Sequence, residues 1–305
     1  MENLRIVSLI PSGTEIVYLL GLGDSLVGRS HDSNYPPDAA SVPVISQGKI
    51  SQKLSSREID KKVKESLHRG TSLFHIDKKK LNRLKPNLIL TQELCEVCAP
   101  SFTQVQNSMR IMDHNDAKVL SLHPKTFTDV LENIMQVAEA TGTKDQAKSS
   151  MIRISFRLEN LVSRVRNVAK PKVAVIEWLD PLMIAGHWVP DMVKLAGGEM
   201  VLSQSGQKSR YAEWYEIVNA DPDILILAPC GFDIPRAKKE IFLFKQRLGW
   251  DRLKAVKNNR VWYMDGDAFL TRSGPRLVDG VEIFAHILHP TVFGSPLRNE
   301  AELVV

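Results

Sequence analysis

The stretch TKDQAKSSMIRISFRLENLVSRVRNVAK, residues 143–170, decides the fold. It contains neither Gly nor Pro, and Pro171 stops it. Thr143 followed three residues later by Gln146 has the spacing of a capping box, in which two side chains satisfy backbone N–H groups that a helix start leaves free. Met151, Ile154, Leu158, Leu161, Val162, Val165 and Val168 recur at three- and four-residue steps, which places them on one helical face. About 26 helical residues rising ~1.5 Å each make a rod of roughly 39 Å. That exceeds what one small lobe needs to cover its sheet. The heptad is not kept strictly, which argues against a coiled-coil arm. The stretch is therefore read as a backbone joining two lobes, residues 1–142 and 171–305.

Both flanks alternate short apolar runs with helical patterns, the grammar of parallel α/β sheets. Before the rod, strands are expected at residues 6–10, 26–28, 88–90 and 118–122. A turn at Pro11-Ser12-Gly13 precedes a helix over 14–20, and an amphipathic helix covers 126–140. After it, strands are expected at 173–176, 224–227 and 261–263, with helices at 189–195 and 275–288. The tail, residues 295–305, has few anchors, the pattern of a mobile end. Two internal echoes suggest related lobes. Lys85-Pro86-Asn87-Leu88-Ile89-Leu90 matches Asp221-Pro222-Asp223-Ile224-Leu225-Ile226, and Leu20-Gly21-Leu22-Gly23 matches Leu195-Ala196-Gly197-Gly198. The predicted fold is two Rossmann-like lobes with parallel sheets, one long helix between them and a ligand cleft where they meet.

Composition narrows the function. At 305 residues the chain is long enough for two cores, and 43% apolar with 25% charged residues is globular. The net charge of +5 is spread along the chain, without the basic stripe and interleaved aromatics of a nucleic-acid surface. No run reaches the ~18 apolar residues of a membrane span. Arg5 to Ile10 reads as a first strand rather than a secretory leader, so the chain as written is expected in the cytoplasm, or in the periplasm or at the cell surface if a leader was removed. Cys95, Cys98 and Cys230 make no disulfide framework. Nucleophile elbows, Walker loops and dinucleotide fingerprints are missing, so no enzyme is expected.

Ser8-Leu9-Ile10-Pro11-Ser12-Gly13-Thr14-Glu15 resembles the opening SLxPSxTE of the helical-backbone class of substrate-binding proteins that feed ABC importers. That class carries cobalamin, iron–siderophore complexes and haem. Its cobalamin-binding branch is resembled by Ser30-His31-Asp32-Ser33-Asn34-Tyr35-Pro36, Ser55-Ser56-Arg57-Glu58-Ile59-Asp60, Thr91-Gln92-Glu93-Leu94-Cys95-Glu96-Val97-Cys98 and Ala228-Pro229-Cys230-Gly231-Phe232-Asp233. Ala185-Gly186-His187-Trp188-Val189-Pro190 and Arg272-Ser273-Gly274-Pro275-Arg276-Leu277 add to the match, which covers residues 4–290. The resemblance implies non-enzymatic binding of a cobalamin-like corrinoid, or another large metal chelate, by a monomer that needs no cofactor of its own. It also implies an importer permease as partner, met by a glutamate on each lobe. Lys79 stands at the first of these positions, and a base there turns attraction into repulsion. Glu213-Trp214-Tyr215-Glu216 places a glutamate near the second.

A flat corrin needs aromatic walls and a few orienting polar groups. Tyr35 matches a cleft-lining position of the family. Trp188, Phe232 and Trp178 fall just beyond strands or at helix starts, where open α/β sheets place ligand contacts. His31 and His187 occupy similar loops, Gln92 and Glu93 end a strand, and Arg272 offers a guanidinium to carboxamides, carboxylates or phosphates. A different reading takes Cys95 and Cys98, with the loop histidines, as an intracellular metal or redox sensor on the same fold.

Overall fold

Apolar runs of three to five residues build two separate parallel cores in the computed structural model, which describes residues 4–92, 105 and 116–304. The first unit is drawn from Met1–Leu54, Glu58–Pro124 and Asp129–Met151, and the second from Ser55–Arg57, Lys125–Thr128 and Ile152–Val305.

In the first unit, strands β1 (Ile6–Ser8), β2 (Leu26–Ser30), β3 (Val44–Gly48), β4 (Phe74–Ile76), β5 (Leu88–Gln92) and β6 (Lys118–Leu122) form one sheet in the order β4-β3-β2-β1-β5-β6. All neighbours are parallel except β3 and β4. Central β1 and the apolar part of β5 are buried on both faces, which is why they read as unbroken apolar runs. Helix α1 (Pro11–Leu19) begins at Pro11, not after a turn at 11–13 as the sequence suggested. Proline at the first helical position lacks only an N–H that would go unpaired there. Three elements escaped the sequence reading: β3, β4 and α2 (Ser56–His68). Short α3 (Lys78–Leu84) and α4 (Phe127–Thr141) follow.

Helix α5 (Lys144–Val165) is the rod foreseen from periodicity. Ile154, Leu161 and Val165 are buried on its apolar face, while Ile152 and Phe156, off that face, are exposed. It stops short of residue 169. Val168 N–H reaches back to Val165 O at 3.4 Å, closing a turn, and Pro171 bars helical geometry at Lys170. Its last turns belong to the second unit. There Arg157 grips Glu282 with Nε and Nη2 (2.9 and 2.7 Å) and Asp279 with Nη2 (2.5 Å), and Arg164 lies 4.0 Å over the Phe293 ring.

The second sheet runs β10-β8-β7-β11-β12-β13, with β9 also paired to β7. Its strands are β7 (Lys172–Trp178), β8 (Met183–Ile184), β9 (Glu199–Met200), β10 (Arg210–Tyr211), β11 (Ile224–Leu227), β12 (Val261–Met264) and β13 (Ala301–Leu303). The β7, β11 and β12 core is parallel. Helices α6 (Val189–Leu195), α7 (Trp214–Ala220), α8 (Ile234–Lys238), α9 (Phe242–Lys245), α10 (Lys254–Lys257), α11 (Gly266–Phe269), α12 (Leu277–Leu288) and α13 (Pro290–Phe293) complete it. The tail is not loose: β13 lies antiparallel to β12, and Lys238 meets Glu302 at 2.6 Å.

The two echoes are real at atomic level. Lys85 (φ 42°) and Asp221 (φ 40°) each end a helix in the left-handed region just before proline. The side chains of Asn87 and Asp223 then accept N–H bonds from Arg5, just before β1 (2.8 Å), and Lys172, the first residue of β7 (2.9 Å). At the glycines, Leu22 N–H donates to Val17 O (3.0 Å) and Gly198 N–H to Val193 O (2.9 Å), the six-to-one bond of a Schellman end. Two units of one chain therefore share both helix-ending devices.

They differ in the space around the left-handed glycine. A methyl on Gly21 (φ 74°) meets nothing, whereas one on Gly197 (φ 81°) lies 2.7 Å from Val165 Cβ and 2.8 Å from His289 Nε2. Gly21→Ala is expected to cost about 1 kcal/mol and Gly197→Ala at least about 2 kcal/mol, read as urea-unfolding midpoints. Equal costs would refute the crowding argument.

His289 is buried, with Nε2–H donating to Gly197 O at 3.2 Å, and burial holds its pKa below the ordinary value. Above the unfolded pKa of ~6.5 both states are neutral, and below it the unfolded chain takes the proton first. Stability is therefore expected to fall as pH drops from 7 towards 5. His289→Gln should flatten that part of the profile; an unchanged slope would exclude His289 as its source.

Candidate functional site

In open α/β sheets, loops leaving neighbouring strands in opposite directions open a crevice at the carboxyl edge, where the strand order reverses. In the first unit this happens between β1 and β5. The chain leaving β1 stays close at first: Leu9 N–H donates to Leu90 O (2.9 Å), and the Ser8 hydroxyl to Ile10 O (2.8 Å). Thr14, opening into α1, donates its hydroxyl to Ser33 Oγ at 2.9 Å, and Ser33 pairs with Ser30 at 2.8 Å. All are buried. These hydroxyls explain the two N-terminal motifs: they fix the loop after β2 that carries His31 and Tyr35.

Tyr35 is 43% exposed on that loop. His31 accepts the Gly48 N–H on Nε2 (3.1 Å), and Asp32 lies 3.2 Å from the same nitrogen. Its buried Nδ1 has no hydrogen-bond partner among the described residues. Gln92 ends β5, half-buried. Glu93, Cys95 and Cys98 lie outside the described residues. Among those described, no group of three His, Cys, Asp or Glu side chains could hold a metal ion.

In the second unit the reversal falls between β7 and β11. Ala228 N–H still reaches Ile176 O (3.0 Å) and Cys230 N–H reaches Glu177 O (2.9 Å), after which the chains part. Trp178 ends β7 and Phe232 follows β11, and their rings meet there at 5.2 Å and 52°. The Arg236 guanidinium covers Phe232 from 4.1 Å, leaving that ring 2% exposed. This aromatic pair stands at the carboxyl-edge crevice of the unit.

Of the other sequence candidates, Trp188 and Arg272 are committed to the protein itself. Trp188 is buried and its indole N–H donates to Leu270 O at 2.8 Å. Arg272 is buried against Asp267 through Nη2–Oδ2 (2.5 Å) and Nε–Oδ1 (3.2 Å), so those donors face inward. His187 takes a left-handed φ of 52°, its N–H bonded to Gln207 O (2.5 Å). Burial, helped by Lys208, holds its pKa below the ordinary value, and its buried Nδ1 has no hydrogen-bond partner among the described residues. The loop lies so close to residues 207–209 that a methyl on Gly186 would sit 2.5 Å from Ser209 N. Lys79 is exposed on α3. On α7, Glu213 and Glu216 form a capping box, and Glu216 also pairs with Arg210 at 2.7 Å.

With this geometry in view, comparison with known proteins is direct. The family model described as "periplasmic binding protein" matches residues 6–268. The chain belongs to that family. It is a family of non-enzymatic solute-binding components of ABC importers, as the N-terminal motif implied. The chain is 26% identical over 299 residues to an uncharacterized ABC transporter substrate-binding lipoprotein of Bacillus subtilis, covering 96% of this chain and 82% of that protein. It is 24% identical over 290 residues to the vitamin B12-binding protein of Vibrio cholerae, covering 91% and 86%. A periplasmic heme binding protein from Pseudomonas aeruginosa shares the fold at TM-score 0.72, with 17% identity and coverage of 99% and 98%. No described helix is long and apolar enough to cross a membrane.

One residue of the crevice was missed from sequence. Glu177 interrupts the buried run Val173-Ala174-Val175-Ile176, which was the available signal. Its carboxyl accepts the Ser209 hydroxyl at 2.7 Å. Burial, the larger effect, pushes its pKa above the ordinary carboxylate value, although Ser209 and the Gly186 N–H favour the charged form. A raised folded pKa contributes stability below the unfolded value, lost as pH rises through the folded one. Glu177→Gln should therefore gain on the wild type between pH 4 and pH 7 in melting temperature. A difference that does not change with pH would reject this.

Proposed function

We propose that the chain binds a flat metal chelate, a cobalamin-like corrinoid first and haem second. The half-buried Trp178 indole at the β7/β11 crevice, backed by the buried Phe232 ring, forms the principal contact. That indole carries the proposal: a partly open ring at a carboxyl-edge crevice offers a macrocycle apolar area and a quadrupole face, which aliphatic residues lack. Membership of a solute-binding family supports it, as do relatives named for vitamin B12 and heme. Within the first unit, taken by itself, we assign exposed Tyr35 to ligand contact, with His31 and Gln92 as further candidates. Trp188 and Arg272 shape the second unit from within, as their inward bonds suggest.

Delivery to a permease follows from the family role. Lys78, Lys79 and Lys80 open α3 where the resemblance implied an acid, so a permease that presents arginines there would be repelled. The partner we propose presents acids to this helix.

The purified chain should be titrated with cobalamin, cobinamide, haem and a ferric siderophore. Micromolar or tighter binding of a corrinoid is expected, with Trp178→Ala weakening it more than about tenfold, ~1.4 kcal/mol. Trp188→Ala should instead lower the melting temperature. Absence of binding to every corrinoid overturns the first assignment, and binding of haem alone replaces it with the second.

A further inference from the structure

The net charge of +5, which reads as spread along the sequence, has one main source. Residues 49–54 and 58–85 of the first unit hold eleven Lys and Arg against four Asp and Glu, a net of +7. The rest of the chain, with 29 against 31, carries −2. All eleven cations are exposed. Two of the four acids are engaged locally: Asp60 pairs with Lys64 at 2.9 Å and Asp77 with Lys80 at 3.7 Å.

The fold gathers these residues around β4, the edge strand of its sheet. Lys49 donates its Nζ to Ser72 O (2.8 Å) and its N–H to Leu73 O (2.9 Å), which ties the end of β3 to the entry of β4. Helix α2 runs into the same loop, where Thr71 N–H bonds back to Ser66 O (2.9 Å). At the other end of β4, Lys78, Lys79 and Lys80 open α3. Three cations in a first turn oppose the helix dipole, which favours acids there, so local stability does not account for them.

We propose that this face of the first unit rests on an anionic lipid surface. The inference rests on the reading that α3 meets acids, and it names those acids as lipid phosphates. Composition favours a bilayer over a protein. Nine of the eleven cations are lysines. Protein interfaces favour Arg and are depleted in Lys, whose hydrated ammonium makes no fork with a carboxylate. A layer of headgroups needs no fork, because its summed field draws each lysine, strengthening association about fivefold per charge. Phe74, the one Phe, Tyr or Trp of these segments, is buried, so nucleic-acid bases find no such ring to stack on.

The test sediments the full chain with phosphatidylcholine vesicles, with and without about one-third phosphatidylglycerol. Binding to the anionic vesicles alone is expected at ~0.1 M salt, and its loss at ~1 M, where charges are screened beyond ~3 Å. Lys61→Gln/Lys62→Gln/Lys78→Gln/Lys79→Gln should weaken it at least about tenfold. Lys148→Gln/Lys170→Gln/Lys194→Gln/Lys257→Gln, of equal net charge, should change it less than about twofold. All eight side chains are exposed, where Gln is as good a helix former as Lys. Lys78→Gln/Lys79→Gln alone, expected about fivefold weaker, guards against loss of folding. No binding of the wild type to anionic vesicles overturns the lipid surface, and equal losses in the two fourfold variants overturn the face. Polyglutamate supplies a separate arm. If the wild type binds it, the first variant does not, and vesicles fail, the acids facing α3 are a protein's and the lipid assignment falls alone. If neither vesicles nor polyglutamate bind, both readings fall.

Discussion

At β7 and β11 two parallel strands lie side by side while the chain leaves them in opposite directions, and the character of the second unit follows from this reversal. Parallel neighbours cannot be joined by a tight turn, so the route from β7 to β11 must travel over a face of the sheet. The last backbone groups at the carboxyl edge are then bonded across the gap, as Cys230 is to Glu177 O, and beyond them side chains must fill the space. Trp178 and Phe232 do so, backed by Arg236. The same edge of the first unit is filled differently, by the hydroxyls of Thr14, Ser30 and Ser33. One edge is filled by aromatic rings and the other by hydroxyls that hold a loop in place.

The doubling of the plan is a matter of backbone chemistry more than of side-chain identity. A left-handed residue before proline ends a helix abruptly, and a polar side chain two positions later pins the neighbouring strand's entry. Lys85 and Asp221 have opposite charges yet perform this same act, because what matters is φ and not the side chain. Around Gly197 the second unit has packed tightly, bringing Val165 and His289 against it, whereas Gly21 remains in the open.

How much of this was legible depended on how each residue is buried. The rod and the central strands were readable because burial on one helical face, or on both sheet faces, leaves a periodic or unbroken apolar trace. Strands β3 and β4 were not: Ser46, Gln47 and Gly48 dilute the first, and the second has three residues. Helix α2 left a trace in Ile59, Val63 and Leu67, one apolar residue per turn among charges, and it went unread. At the site, aromatic residues beyond strand ends could be nominated, but the direction each faces could not. Trp178 and Trp188 look alike in sequence; one meets Phe232 at the crevice and the other bonds inward to Leu270. Arg272 was claimed by Asp267, five residues earlier, a pairing that many spacings allow.

The short strand β13 has a consequence of another kind. Without Ala301–Leu303, β12 would present an open row of N–H and C=O groups along Val261–Met264, flanked by Trp262 and Tyr263. An unpaired, aromatic-rich strand of this sort is a template on which a second chain can add itself, the first step of sheet-to-sheet aggregation. Three residues laid antiparallel across it move the sheet's edge onto β13, and so short an edge strand is a poorer template than the aromatic strand it covers.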